Sequence, residues 1–273
     1  MSEQRRPGVF THKTPRVVAA RRLTTRSGRE RAGRFLAEGA QAVAEALSRA
    51  EGVHEVFVTD AAARRHTDLV EQADTAGVPV SEITPRAAAM LSETVTPQGI
   101  LAVCDTFDVP LAQALAGSPR LVVVLAGTSD PGNAGAVLRV ADAAGADAIV
   151  FAGDAVDPHN GKCIRASTGS VFHLPIARAR DFGAVFAACH AAGLRVVAAD
   201  GHADRDLTTI GTLAEPTAWL FGNEAHGLDT ALLALADDAV RVPLYGAAES
   251  LNLATAAAVC LYASAMTHQK QGR

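Results

Sequence analysis

Short apolar runs alternate with amphipathic segments through the C-terminal half of the chain. The runs predict strands at Leu121–Ala126, Ala148–Phe151, Arg195–Ala199, Ala218–Phe221 and Ala239–Val242. The amphipathic segments predict helices at Ala134–Ala144, Asp181–Ala192, Asp229–Ala236 and Leu251–Met266. Such alternation favours a mostly parallel sheet with helices on both faces. Ligands of these sheets bind at the carboxyl ends of the strands, so the loops after residues 126, 221 and 242 form the predicted site.

The N-terminal half shows a second, weaker alternation of the same kind. Its predicted helices are Gly28–Ser48, Ala61–Ala76 and Pro85–Ser92, and its predicted strands are Val53–Thr59, Val78–Val80 and Ile100–Cys104. We therefore expect a smaller α/β domain over residues 21–105, a linker over residues 106–119 and a larger α/β domain over residues 120–273. Residues 1–20 contain Pro7, Gly8 and Pro15 without sustained periodicity, and we expect them to be disordered.

The composition bounds the class of protein. The chain has 273 residues, 49% of them hydrophobic, which is ample for packed cores. No apolar run is long enough to span a membrane, and the basic N-terminus lacks the apolar core of a secretory signal. The four cysteines are scattered, with no metal-ligand spacing, as expected of reduced thiols in a cytoplasmic protein without a metal site.

Positive charge is concentrated at the N-terminus. Residues 1–34 hold ten Lys and Arg against two Glu, a charge of +8, whereas the rest of the chain carries -12. A basic segment on an acidic body is typical of a protein that binds a polyanion such as RNA. The candidate RNA contacts here are Arg21, Arg22, Arg26 and Arg34. The alternative is a solubilising terminus without a partner.

The loop after residue 126 leads into a helix that carries an arginine. Asp130 begins a turn, and Asn133 is predicted to cap the helix. Arg139 shares a helix face with Gly135, which leaves it room to reach a phosphate or a polarised hydroxyl. The alternative is an exposed arginine paired with Asp142.

The loops after residues 221 and 242 supply further polar groups. Gly222 would let a ligand approach the backbone, and Glu224 could bind a ribose hydroxyl or cap the next helix. His226 is more typical of a surface residue than of an acid or base. In the third loop Ser250 is predicted to be the N-cap of the last helix, which puts Asn252 in its first turn near unpaired N–H donors.

A fourth segment, from Arg165 to His173, contains a cation followed by small hydroxyl residues. Arg165 and Ser167 are candidate contacts to an RNA backbone. The alternative, equally open from the sequence, is that Ser167 and Ser170 satisfy a buried turn while Arg165 forms an ion pair.

Three motifs resemble those of a known family. They are Asn133-x-Gly-x-x-x-Arg139, Phe221-Gly-Asn-Glu224-x-x-Gly-Leu, and Val242-Pro-Leu followed by Ser250-Leu-Asn. In order and spacing they are similar to the motifs of the SpoU (TrmH-like) RNA ribose 2′-O-methyltransferases of the SPOUT superfamily, over about residues 118–268. The N-terminal half, with Glu38-Gly39 and Thr94–Gly99, resembles the ribosomal L30e-like substrate-binding domain of many rRNA members.

The resemblance implies a homodimer in which the C-terminal chain threads a trefoil knot that holds S-adenosylmethionine. It implies these catalytic residues: Arg139 at the ribose hydroxyl, supported by Asn133, Glu224, Ser250 and Asn252. It also implies that the cofactor lies against Leu125, Ala126, Gly127, Phe221, Gly222, Asn223, Val242, Leu244, Ser250 and Leu251. Because a guanidinium normally stays protonated, we favour Arg139 as an electrostatic stabiliser rather than a base.

The implied activity is S-adenosylmethionine-dependent 2′-O-methylation of RNA, with 23S rRNA as the favoured substrate because of the N-terminal domain and basic segment. A tRNA substrate and a non-catalytic RNA-binding protein of the same fold are the alternatives. A dehydrogenase is disfavoured, since the chain lacks the G-x-G-x-x-G fingerprint of dinucleotide binding in its first loop.

Overall fold

The computed structural model describes residues 8–49 and 51–270, which form two compact units. The N-terminal unit comprises the chain up to Thr106 together with His159–Phe172. The C-terminal unit comprises Phe107–Pro158 and the chain from His173 onward. The sequence placed residues 159–172 in the larger domain, so the division of the chain is less simple than two consecutive segments.

The helices are α1 (Pro15–Arg21), α2 (Arg26–Ala32), α3 (Ala40–Ser48), α4 (Asp60–Arg65), α5 (Thr67–Thr75), α6 (Pro85–Leu91), α7 (Leu111–Ala114), α8 (Pro131–Ala143), α9 (Gly161–Ser167), α10 (Phe182–Ala191), α11 (Thr230–Leu235) and α12 (Leu253–Lys270). The strands are β1 (Arg34–Glu38), β2 (Val53–Val58), β3 (Val80–Glu82), β4 (Ile100–Asp105), β5 (Leu121–Ala126), β6 (Ala148–Ala152), β7 (Ile176–Ala179), β8 (Arg195–Ala199), β9 (Arg205–Asp206), β10 (Thr217–Phe221) and β11 (Asp238–Arg241).

A mixed sheet of order β1-β4-β2-β3 forms the centre of the N-terminal unit. β4 is antiparallel to β1 and β2, while β2 and β3 are parallel. The single helix predicted over Gly28–Ser48 is wrong. α2 ends at Ala32, Gly33 follows as its C-cap with a φ of 61° that suits glycine, and the chain then forms β1. Because residues 35–38 are buried without alternation, they carry no period-2 signal.

Residues 8–20 are ordered, contrary to the prediction of disorder, whereas residues 1–7 lie outside the described residues. Phe10 pairs with the end of β3: its N–H donates to Glu82 O at 2.7 Å. Pro15 stands at the start of α1, where a missing N–H has no penalty. Val17 and Ala20 are buried. The apolar side of α1 is thus part of the core of this unit.

The C-terminal unit contains a seven-stranded sheet of order β7-β6-β5-β10-β8-β11-β9, in which every pairing is parallel. The predicted α/β class with a mostly parallel sheet is confirmed. The sequence missed β7 and β9, the two outermost strands. Each is short and includes an arginine, so neither has the continuous apolar run of a central strand.

Helices cover both faces of this sheet. On one face Val185, Phe186 and Cys189 of α10 belong to a buried cluster with the central strands. Elsewhere Trp219 of β10 is fully buried, and its indole N–H donates to Ser264 Oγ of α12 at 3.0 Å. A buried indole needs such a partner, which fixes α12 against the centre of the sheet.

The described residues offer neither a reactive cysteine nor a metal-binding cluster. All four cysteines are free and buried, and burial raises the pKa of Cys104 and Cys260 to about 12. Thiols with such a pKa are poor nucleophiles at neutral pH. Within residues 8–49 and 51–270 no His, Cys, Asp and Glu cluster could hold a metal ion, and no helix is long and apolar enough to cross a membrane.

Candidate active site

The loops predicted to form the site lie at the carboxyl ends of strands in the sheet of the C-terminal unit. β5 and β10 are adjacent and parallel, with Leu125 in register with Phe221. The loops that follow them therefore emerge side by side. β11 lies further along the same sheet and leads into the third loop, which ends at α12.

The loop after β10 is closed on itself and tied to the loop after β5. Asn223 and Gly227 exchange two backbone hydrogen bonds, and Asn223 Nδ2 donates to Gly127 O at 2.8 Å. A Cβ on Gly222 would lie 2.4 Å from the carbonyl carbon of Gly227. Glycine is thus required at residue 222 by the loop's own backbone, whereas the sequence suggested a ligand as the reason.

Glu224 joins the first two loops. Its Oε2 accepts hydrogen bonds from Ser129 N–H at 3.1 Å and Ser129 Oγ at 3.2 Å. Its Oε1 accepts from Asp130 N–H and from Asn133 Nδ2, both at 3.2 Å. Partial burial would by itself raise the pKa of Glu224, but these donors outweigh it and hold the pKa below the ordinary value of 4.5. The carboxylate is therefore charged at neutral pH.

Asp130, rather than Asn133, caps α8. Its Oδ1 accepts from Asn133 N–H at 2.8 Å, so the prediction that Asn133 is the cap is wrong. The side chain of Asn133 is thereby available for other contacts. It donates to Glu224 and accepts, through Oδ1, from Asn252 Nδ2 at 3.0 Å. One amide thus connects the first loop to the second and the third.

Asn252 begins the last helix. Its Oδ1 accepts from Ala254 N–H and its carbonyl accepts from Ala256 N–H, both at 2.9 Å. The predicted cap, Ser250, lies before the helix in an exposed, irregular stretch. The cap position was wrong by two residues, but the structure does bring the predicted Asn133, Glu224 and Asn252 together.

Arg139 lies exposed on α8, further along the same helix as Asn133. The guanidinium makes no hydrogen bond or ion pair with any residue that the structure describes. Asp142, the partner that the alternative interpretation required, is engaged elsewhere: its Oδ2 lies 2.8 Å from His173 Nδ1. Arg139 is therefore a cation available to an external anion.

The third loop presents unpaired backbone. From Val242 to Leu251 no N–H or C=O group hydrogen-bonds to another described residue. Val242 and Leu251 are half-buried, while Leu244 is 40% and Tyr245 90% exposed. Free backbone donors and acceptors flanked by apolar side chains suit a ligand with both a polar chain and a flat ring.

At the ends of β5 and β10, the predicted cofactor residues could contact a ligand mainly through backbone atoms. The side chains of Leu125, Ala126 and Phe221 are buried in the core. Gly127, with a φ of 63°, has open space where a Cβ would lie. This glycine is the point at which a ligand could approach the strand ends closely.

The fourth predicted segment contributes to the N-terminal unit. Arg165 Nη1 lies 2.9 Å from Oε2 of the buried Glu38. Ser167 is fully buried, and its hydroxyl donates to Ile164 O at 2.8 Å. The structure thus places an ion pair and a buried turn here, which is the alternative to RNA contact that the sequence left open.

The predicted RNA-binding arginines fall into two groups. Arg26 pairs with Glu30 at 3.0 Å and Arg34 with Asp105 at 3.3 Å. Arg21 and Arg22 are exposed and form no ion pair within the described part of the chain. Sequence reasoning missed Ser129, which contacts Glu224 twice; its place beside the turn-forming Asp130 was the available signal.

The parallel sheet and the polar loops at its strand ends agree with the class that the three motifs resemble, the RNA methyltransferases of the SPOUT superfamily. The chain belongs to the SpoU rRNA methylase family, whose model matches residues 120–262. Residues 14–102 match the MRM3-like substrate binding domain. The predicted family is confirmed, and the match to the substrate binding domain falls within the N-terminal unit.

Named relatives and solved structures agree with this assignment. The chain is 36% identical over 253 residues to the 23S rRNA (guanosine(2553)-2′-O)-methyltransferase RlmP of Bacillus subtilis, covering 92% of this chain and 96% of RlmP. The SpoU methyltransferase AviRb from Streptomyces viridochromogenes in complex with AdoMet has a TM-score of 0.83 and 30% identity, covering 94% and 100%. An AdoMet-bound rRNA methyltransferase from Sinorhizobium meliloti has a TM-score of 0.82 and 30% identity, covering 94% and 97%.

Proposed function

We propose that the protein transfers a methyl group from S-adenosylmethionine to a ribose 2′-hydroxyl of 23S rRNA, in the cytoplasm where that RNA is made. The observation that carries the proposal is the network of Asn133, Glu224 and Asn252 beside an unpaired Arg139. Two relatives named as 23S rRNA 2′-O-methyltransferases, each matched over most of both chains, support the reaction and the substrate.

The residues present fit the cofactor. Unpaired backbone between Val242 and Leu251 would hold its polar groups, and Gly127 would allow a close approach at the strand ends. When bound, S-adenosylmethionine supplies a methyl group already activated on a sulfonium sulfur. We propose that the chain around this loop forms the trefoil knot of the family. The support is that α12 packs on α8 and against the sheet, where Ser264 of α12 accepts a hydrogen bond from Trp219 of β10.

The work left to the protein is alignment and electrostatic stabilisation. Ser250, within the loop from Val242 to Leu251, and Asn252, directly after that loop, would orient the ribose. Arg139 would stabilise negative charge that develops on the 2′-oxygen as its proton passes to water, and would hold the adjacent phosphate. Glu224 contacts neither ribose nor cofactor in this scheme, since its oxygens are occupied by the first loop.

Two measurements test this function. Calorimetry should show S-adenosylmethionine binding, and radiolabelled methyl should pass to 23S rRNA from a strain that lacks the gene. Cofactor binding with methylation of tRNA alone would support the tRNA alternative. Absence of cofactor binding at high micromolar concentration would leave the non-catalytic RNA-binding protein as the better description.

We also propose a homodimer that assembles through α12. Val259, Tyr262 and Met266 are spaced i, i+3 and i+7, so they share one helix face, and they are 40%, 42% and 57% exposed. An exposed apolar stripe of this kind is typical of an interface between subunits.

Changing Tyr262 to Glu should convert the dimer to a monomer, because a carboxylate on this stripe would be buried without a partner. Sedimentation velocity on the wild type and on Tyr262→Glu measures this. Leu235→Glu is the matched control, since Leu235 is 51% exposed on α11 of the same unit. Dissociation by both variants equally, or by neither, would argue against the α12 interface.

A further inference from the structure

A groove of about 690 Å³ lies in the N-terminal unit, between α1 and α2 and the 3-10 helix Arg22–Thr24 that joins them. We call it the α1–α2 groove. Its apolar lining includes Val18, Ala19 and Leu23, and its cations are Arg21, Arg22 and Arg31. The sequence predicted helical pattern only from Gly28 onward, so it did not predict this groove or a role for Arg31.

Internal contacts hold the groove in shape. The buried Arg29 donates from Nη1 to Leu23 O at 3.1 Å and to Thr24 O at 3.2 Å, which fixes the 3-10 helix against α2. Gly28 packs directly on the connection: a Cβ there would lie 1.8 Å from Arg22 O. A ligand would therefore meet a preformed surface and would lose little affinity to ordering it.

Charge distinguishes the groove from the rest of the basic segment. Arg21, Arg22 and Arg31 are exposed, and none forms an ion pair with a residue in the described ranges. Arg26 and Arg34, by contrast, are neutralised by Glu30 and Asp105. Three uncompensated guanidinium groups on a protein of net charge -4 favour a polyanionic ligand.

We propose that the α1–α2 groove binds a single-stranded RNA segment, with its phosphates on the three unpaired arginines and an unstacked base against Val18 and Ala19. The inference rests on the proposed RNA substrate and adds a site to it. An apolar lining favours a single strand because only unstacked bases expose their faces, whereas a duplex offers phosphates and groove edges.

The test uses the full-length chain and fluorescence anisotropy with an oligouridylate of about ten nucleotides. Arg21→Ala, Arg22→Ala and Arg31→Ala should each weaken binding by about tenfold. Each should also reduce the slope of log affinity against log salt by about 0.7. Arg26→Ala and Arg34→Ala remove the same charge from ion pairs and should change affinity by less than about twofold.

A second variant tests the apolar lining. Val18 is 40% exposed, so Val18→Ser should leave the fold intact. It should weaken binding of oligouridylate but not of an abasic oligomer of the same length. Equal losses from all five arginine variants, or tighter binding of a duplex than of the single strand, would overturn the proposal. S-adenosylmethionine calorimetry on the same variants should be unchanged, which separates failure of the groove from failure of the proposed function.

Discussion

Replacement of Arg139 by Ala should lower kcat for methyl transfer by about 100-fold or more, because it removes the group that stabilises charge on the attacking oxygen. The affinity for S-adenosylmethionine should stay within about twofold of wild type. Arg139 is exposed on α8 and binds no described residue, so its loss leaves no buried group unpaired. Single-turnover methylation of 23S rRNA and calorimetry with the cofactor measure the two effects separately.

Arg139→Lys is the matched control for this prediction. Lysine keeps the positive charge but lacks the planar fork that binds a phosphate and a second oxygen together. We expect it to recover part of kcat while leaving the RNA KM raised. Full activity in Arg139→Ala would remove Arg139 from the mechanism, and a large loss of cofactor affinity would assign it to the cofactor site.

The central strands of the larger sheet were predictable because their signal is local. β5 and β10 are buried on both faces, so each is a continuous apolar run, and the resemblance then identified their loops as the site. β1 is buried in the same way, but it follows α2 so closely that its residues were counted in a helical stripe. The signals that a separate strand lies here were the flanking glycines: Gly33 follows α2 and Gly39 precedes α3, with φ of 61° and 101°.

The caps were harder to predict because several polar residues compete at each helix start. Asp130 and Asn133 both suit a cap, as do Ser250 and Asn252, and propensity does not separate them. The choice is made by the tertiary network, in which Asn133 must bridge Glu224 and Asn252. Likewise, Arg165 could not be assigned from sequence, since its partner Glu38 is 127 residues away.

Replacement of Glu224 by Gln should lower cofactor affinity by about tenfold and reduce kcat as well, because the carboxylate organises the first loop. Oε2 faces Ser129 N–H and Oε1 faces Asp130 N–H. Either orientation of a glutamine amide would therefore aim its NH2 group at a backbone N–H. Calorimetry and methylation assays measure the loss. Asp204→Asn is the matched control, since it removes one exposed carboxylate charge from the same unit, outside the three loops, without removing a side-chain hydrogen bond between described residues.

The substitution of Glu224 should also disturb the hydrogen bond between Asn133 and Asn252, because Glu224 sets which atoms of Asn133 donate and accept. A carboxylate can only accept, so it obliges Asn133 to donate through Nδ2 and to present Oδ1 to Asn252. The pKa of Glu224 is lowered, so above pH 4.5 the carboxylate is charged and these hydrogen-bond directions are fully imposed. They are lost as the pH falls through the lowered pKa. Wild-type cofactor affinity should therefore fall toward that of Glu224→Gln in acid. A constant ratio of the two cofactor affinities, wild type to Glu224→Gln, across this pH range would show that the charge of Glu224 does not set the directions of these hydrogen bonds.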